Sequence, residues 1–280
     1  AARPTHRISR TWDTGEETSR LSMGDEAERK YGAPQLTIHR ADLLAALADA
    51  FPAERVRFGK RAQSIEARAD GGVAIRFTDD SEATQLDVLI GADGIHSVVR
   101  NAMFGAESPR FTGVVAFRAV VPTERVKDVP NIQAFTKWWG ATPESQIVTF
   151  PLNQGRDTFI FATTAQDSWH EESWTTPGSV DELRGFYADF HPDARALLDA
   201  CDSVLKTALY ERDPLTAWSL GPMTLVGDAC HPMMPFMAQG AGMAIEDGVV
   251  LARNLAGVAA PAQVAAALHR YETMRMERAS

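Results

Sequence analysis

The chain has 280 residues, with 37 acidic and 28 basic side chains and a net charge of −9 at neutral pH. That length admits one large or two modest domains with a real core, and the acidic balance argues against nucleic acid or an anionic membrane as main partner. Two cysteines, Cys201 and Cys230, with no CxxC and no Cys/His cluster, point to a reducing compartment and no metal site. No apolar run approaches the roughly 20 residues of a membrane span and no signal peptide is present, so a cytoplasmic protein is expected.

In chain order, residues 6–23 alternate about Asp13-Thr14-Gly15-Glu16, which predicts a hairpin of 8–12 with 18–21. Residues 25–30 are polar and read as a surface turn, and 36–38 as a short apolar run. Leucines at 43, 44 and 47 predict a helix over 41–51 with Arg40 at its entrance. Four β-like runs follow at 56–60, 63–67, 73–77 and 83–85, with turns at Asp70-Gly71-Gly72 and Asp79-Asp80-Ser81. Residues 87–90 are apolar after one acid, as in a buried strand. They end in Gly91-Ala92-Asp93-Gly94-Ile95-His96-Ser97, and a helix to about Phe104 follows.

From 105 to 215 the composition changes. Alternating runs at 114–121, 132–139, 146–150 and 157–163 predict an antiparallel sheet, with helices at 180–190 and 194–200 and a last strand at 207–210. No internal repeat or low-complexity tract occurs. The pattern is an α/β unit interrupted by an antiparallel insertion and resumed near Trp218.

Residues 223–254 are the most informative stretch. An apolar run at 223–226 reads as a buried strand, and Gly227-Asp228 leaves a carboxylate at its carboxyl end, where ligands of open α/β sheets bind. After a loop with Pro232 and Pro235, Gln239-Gly240-Ala241-Gly242 opens a helix whose Met243, Ile245, Val249 and Leu251 mostly share one side. Glycines at a helix start let a ligand approach free N–H groups at the positive end of the dipole. The segment thus offers an acceptor for a polyol and donors for a developing anion, the two needs of a flavin. A tight buried strand–loop–helix connection is the alternative. Residues 87–100 form a second such corner, with Ser97 and Arg100 one helical turn apart.

Together, GADGxxSxxR and GDAxHPxxPxxxQGxxxxxED resemble the flavin-dependent aromatic hydroxylases, the group A monooxygenases with the p-hydroxybenzoate hydroxylase fold. The order and separation of the motifs match, and the similarity covers nearly the whole chain. Thr37-Ile38-His39-Arg40-Ala41-Asp42-Leu43 and Lys137-Trp138-Trp139 look like the salicylate and 6-hydroxynicotinate hydroxylase branch. The resemblance implies an α/β fold in which a doubly wound FAD-binding domain carries an inserted antiparallel-sheet substrate domain. Residues 1–30 would add a hairpin to the substrate sheet, 31–104 and 216–256 would form the FAD-binding domain, 105–215 the substrate domain, and 257–280 a C-terminal helix.

The resemblance also implies FAD as cofactor, NADH or NADPH as transient reductant, and O2. A small aromatic or N-heteroaromatic acid would be hydroxylated through a flavin C4a-hydroperoxide. By position, Arg40 matches an arginine that reaches FAD from a helix entrance. Asp93 and Gly94, with Arg100 nearby, match the pyrophosphate side and nicotinamide handling. Gly227 and Asp228 match the corner whose acid takes the ribityl hydroxyls, and Pro235 the proline beside the isoalloxazine. Gly240, Ala241, Gly242 and Met243 match the helix start over the pyrimidine edge.

Phe117, Trp138, Thr149 and Phe236 are candidates for the substrate pocket, though alternation alone allows either face. Phe236 stands where several relatives carry His, and 146–150 lacks the Tyr of the hydroxynicotinate enzymes, so that substrate is not carried over. His231 reads as a base or, as more often in the family, a structural histidine. Arg118 reads as a framework ion pair before a substrate partner, and Cys230 as packing. No GxGxxG follows any strand, so the family's first βαβ unit is expected as a missing segment of the same polypeptide, with both ends reading as cut and FAD held weakly by this chain alone. The alternatives are a same-fold halogenase, which the lack of a WxWxIP motif disfavours, a reductase, or a cofactor-free fragment. Homodimer formation stays open.

Overall fold

In the computed structural model, which describes residues 1–169 and 173–279, the amino-terminal alternation closes into a hairpin of β1 (His6–Thr11) with β2 (Glu17–Ser22). The polar stretch after it is a helix, α1 (Asp25–Tyr31), not the expected turn. Asp25, Glu26 and Glu28 occupy its first turn and Arg29 and Lys30 its last, so charge complements the dipole at both ends. Helix α2 (Arg40–Asp49) starts where His39 accepts from the Ala41 N–H. The strand expected at 56–60 does not form. A single helical turn at Ala53–Arg55 precedes it, and no described strand pairs with it. Next, β3 (Ala62–Ala67), β4 (Val73–Phe77) and β5 (Glu82–Leu86) make a small antiparallel sheet. They lead into β6 (Leu89–Gly91) and α3 (Val98–Phe104).

The alternating middle of the chain gives β7 (Arg110–Pro122), β8 (Phe135–Trp139), β9 (Gln146–Leu152), β10 (Asp157–Ala165), β11 (Pro177–Gly178), α4 (Val180–Phe186), α5 (Pro192–Asp199) and β12 (Val204–Glu211). With the hairpin they build one sheet in the order β11-β12-β7-β10-β9-β8-β1-β2, and β1 runs parallel to β8. Its core joins Val115, Phe117, Trp138, Ile147 and Ile160 of the strands to Leu183, Leu197 and Leu198 of α4 and α5. Helix α4 ends at Phe186 instead of running to 190, because Tyr187 leaves helical geometry and buries its ring with the hydroxyl donating to the Thr163 carbonyl.

The last quarter holds β13 (Ser219–Leu220), β14 (Met223–Leu225), α6 (Gly240–Leu255) and α7 (Val264–Ala279). Strand β14 pairs parallel with β6 and antiparallel with β13. Gly91 is required by close approach, since a Cβ there would lie 2.7 Å from both Leu225 and Val99 side chains. The expected full burial of 87–90 is not met. Among the described residues β6 has one neighbouring strand, and Ile90 is 39% exposed. In α7, Leu268 and Tyr271 face inward, whereas Met274 is exposed and Arg275 takes the buried side. Ser280, the end of the expected C-terminal helix, lies outside the described residues.

The chain divides into two compact units, 1–55 with 111–209 and 56–110 with 210–280. Residues 31–55 fall in the first unit, whereas the sequence groups them with 56–104. No helix among the described residues is long and apolar enough to cross a membrane.

Candidate functional site

The second unit presents its chemistry where β14 ends. Gly227 adopts φ +59, a left-handed value that a side chain would strain, and a Cβ there would lie 3.1 Å from that of Ala244. Its carbonyl accepts the Cys230 and His231 amides, each at 3.0 Å, and this tight turn thrusts Asp228 outward. Asp228 is an exposed residue that accepts no hydrogen bond from the described residues. The surrounding loop still strips water from its carboxyl and raises its pKa, against the attraction of His231.

Helix α6 starts opposite, with Gly240 close enough that a Cβ would lie 4.0 Å from Asp228 Oδ1. The first helical bond runs from the Met243 amide to Gln239, so the amides of Gly240, Ala241 and Gly242 precede it and find no carbonyl in the helix. A Cβ on Gly242 would meet nothing within 4 Å. Met243 departs from its expected role: its amide is bonded and its side chain is buried in the core of the unit. Pro235 is exposed and Phe236 half-buried on the loop between.

Since the carboxyl of Asp228 is more acidic unfolded than folded, its charge costs stability above the ordinary carboxylate range and nothing below it. Asp228→Asn is therefore expected to raise the Tm of the ligand-free protein, by a margin that grows from about pH 4 toward neutrality. Tm measured across that pH range checks this, and a variant no more stable than the parent at pH 7 would refute it.

Behind the corner lies a buried charged cluster that hydrophobic patterning did not reveal. Asp247, fully buried on α6, accepts the Gly227 amide at 2.9 Å, His231 Nε2 at 2.6 Å and Arg275 Nε at 2.8 Å. Burial works against its charge, but the bonds from His231, Gly227 and Arg275 outweigh it and hold its pKa below the usual range. Arg275 also donates to Glu246 and to the Met243 carbonyl, and Arg278 donates to Glu246. His231 is thus a buried structural partner of Asp247, its ring tilted against that of Trp218, and not an exposed base. Cys230 joins the cluster, with the ligand atoms of Cys230, His231 and Asp247 within 4.8 Å of one another, but the Arg275 guanidinium already neutralises the carboxylate.

The second expected corner is built differently. Asp93 spends its carboxylate on the start of α3, accepting from Ser97 Oγ at 2.5 Å and from the Val98 and Val99 amides at 2.7 and 3.2 Å. Gly94 beside it has φ +75 and open space where a Cβ would be. Arg100 is buried, not surface-facing. It bonds Glu107 at 2.8 Å and the Asp213 carbonyl at 3.2 Å, and Nη1 has no partner among the described residues. Arg212 shares Glu107 and also donates to the Ile95 carbonyl, so the pair braces the loop that carries Asp93.

In the first unit, Arg40 is exposed at the start of α2. Phe117, Trp138 and Thr149 share one face of the large sheet, as their pairing requires, but it is the face packed beneath α4 and α5. They belong to the core: Phe117 and Trp138 are 1% and 2% exposed. Trp138 alone keeps an unmet need there, its Nε1 donor buried without an acceptor among the described residues. Arg118 finds the Trp174 carbonyl and ring instead of the expected carboxylate.

An FAD fits what the second unit offers: an unpartnered acid, free first-turn amides, and glycines with space above them. The FAD binding domain family matches residues 1–280. The chain is 40% identical to 6-hydroxynicotinate 3-monooxygenase of Pseudomonas fluorescens over 280 residues, 99% of this chain and 71% of that protein. Among solved structures, a salicylate hydroxylase substrate complex superposes with a TM-score of 0.86 at 27% identity, over 100% of this chain and 71% of the other. HpxO of Klebsiella pneumoniae, solved with FAD and uric acid, gives 0.85 at 26% identity, over 99% and 69%. A match of this extent and identity, onto a site whose free acid and amides suit a flavin, assigns the chain to the FAD binding domain family as an FAD-dependent monooxygenase.

Proposed function

We propose that this monooxygenase hydroxylates a small aromatic or N-heteroaromatic acid, using O2 and NADH or NADPH. The observation that carries the reading is the pairing of a partnerless Asp228 with the open amides of Gly240, Ala241 and Gly242, in a chain 40% identical to an aromatic-acid monooxygenase. When bound, FAD would activate O2, one atom of which goes to the substrate and the other to water; the residues bind, orient and exclude water. Asp228 would accept from the ribityl hydroxyls. The amides at 240–242 would face the flavin edge where negative charge collects on reduction. Gly94 would let the cofactor approach the backbone, while Asp93 and Arg100 shape that loop from behind. Pro235 and Phe236 would border the ring.

The unit of 56–110 and 210–280 would then be the FAD-binding domain, and that of 1–55 and 111–209 the substrate domain. Two free, buried cysteines and a need for reduced nicotinamide support a cytoplasmic setting. The test is oxidation of NADH and NADPH by the FAD-loaded protein with a panel of hydroxybenzoates, hydroxynicotinates and urate under labelled O2. One panel member should accelerate oxidation and leave as a product carrying one labelled oxygen. Oxidation at the same rate with and without every acid, and no labelled product, would refute the reading.

A further inference from the structure

We propose that Arg275, near the end of α7, is a positioning residue for Asp228, acting through Asp247 and the Gly227 amide; this rests on the reading of Asp228 as an FAD ligand. A fully buried carboxylate is tolerated only when its oxygens are paired. Asp247 meets that need by clamping two things at once: the Gly227 N–H on Oδ2 and the Arg275 Nε on Oδ1. Gly227 immediately precedes Asp228, and its carbonyl is fixed by the Cys230 and His231 amides. Gly227, the residue before Asp228, is therefore held at both its N–H and its carbonyl, and Asp247 holds the N–H.

Arg275 in turn sets Asp247. Its Nη1 lies 2.6 Å from Glu246 and its Nη2 3.3 Å from the Met243 carbonyl, the first carbonyl beyond the glycine amides. One planar guanidinium thus ties together the acid's arm and the helix-start arm of the flavin cradle, 47 positions along the chain from Asp228 by its number. A lysine ammonium is a single point charge and cannot span Asp247, Glu246 and the Met243 carbonyl together. If the cluster merely stabilised the fold, its loss would weaken FAD binding to the same extent whatever occupies position 228. A relay through Asp228 makes the two positions non-additive.

The test is a double-mutant cycle of Arg275→Lys with Asp228→Asn, read as FAD dissociation constants by flavin fluorescence, with the Tm of each ligand-free variant as the fold control. Arg275→Lys alone should weaken FAD about tenfold, and less than about threefold on the Asp228→Asn background. An unchanged Kd in Arg275→Lys, or an equal loss on both backgrounds, would overturn the relay alone. An unchanged Kd in Asp228→Asn would overturn the Asp228 assignment and the relay with it. Should Arg275→Lys fail to fold, Asp247→Asn, of equal size but without the charge or the second acceptor oxygen, enters the same cycle with the same expected non-additivity.

Discussion

Gly242→Val is expected to weaken FAD binding severely while leaving the fold and its Tm intact. The position lies in the first turn of α6, with helical backbone and nothing within 4 Å of an added Cβ, so the protein itself has room for the branched side chain. Valine is also a somewhat better helix residue than glycine, which places any change in stability within about 0.5 kcal/mol. A flavin edge seated on the amides of Gly240, Ala241 and Gly242 would collide with it. Losing two or three amide hydrogen bonds at about 1 kcal/mol each costs roughly 30- to 150-fold in affinity before any steric term is added. The control is Gly248→Val, six residues along the same helix, where a Cβ likewise meets nothing. FAD titration of both variants decides the matter. Equal affinity in the two would place the flavin elsewhere.

The corner at Gly227 and Asp228 and the glycine helix start were legible because their geometry is local. A carboxylate at a strand end and a side-chain-free helix start are properties of consecutive residues, and the motif quotes them directly. The strands β7, β9 and β10 were legible for a similar reason, since alternation is a property of each strand alone. Which face they bury is not, because a period of two marks the faces as different without saying which one meets α4 and α5. Phe117, Trp138 and Thr149 were grouped correctly with one another and proved to be core. Asp247 was missed for a deeper reason. The sequence reading set Met243, Ile245, Val249 and Leu251 on the inward side of α6, yet Ile245 and Val249 are exposed and the acid between them is buried. Its partner Arg275 lies 28 residues further on, so the pairing that makes burial tolerable is invisible to any local period. The signal that could have found it is an acidic pair, Glu246-Asp247, within an apolar helix, followed by Arg275 and Arg278 one turn apart on the next.

Asp228→Ala should weaken FAD by about 1–3 kcal/mol, or roughly 5- to 150-fold, the usual loss for a hydrogen bond to a charged acceptor. The clean reading of this variant comes from what Asp228 does not do. It accepts nothing from the described residues, so truncation removes no bond from the fold, in contrast to Asp247, where the same change would strand Arg275 and the Gly227 amide. The surrounding loop partly desolvates the carboxyl and raises its pKa, so a ribityl hydroxyl would donate to an acceptor that has no donor among the described residues. By the same reasoning Asp228→Asn, which retains one neutral acceptor oxygen, should lose less than Asp228→Ala, and the affinity of the parent should fall as the pH drops below the raised pKa and the carboxyl takes up its proton. Fluorescence titration of FAD into parent, Asn and Ala forms at neutral and acid pH separates these expectations. The order parent, Asn, Ala at neutral pH, converging in acid, is the predicted result; three equal dissociation constants at neutral pH would remove Asp228 from the flavin site.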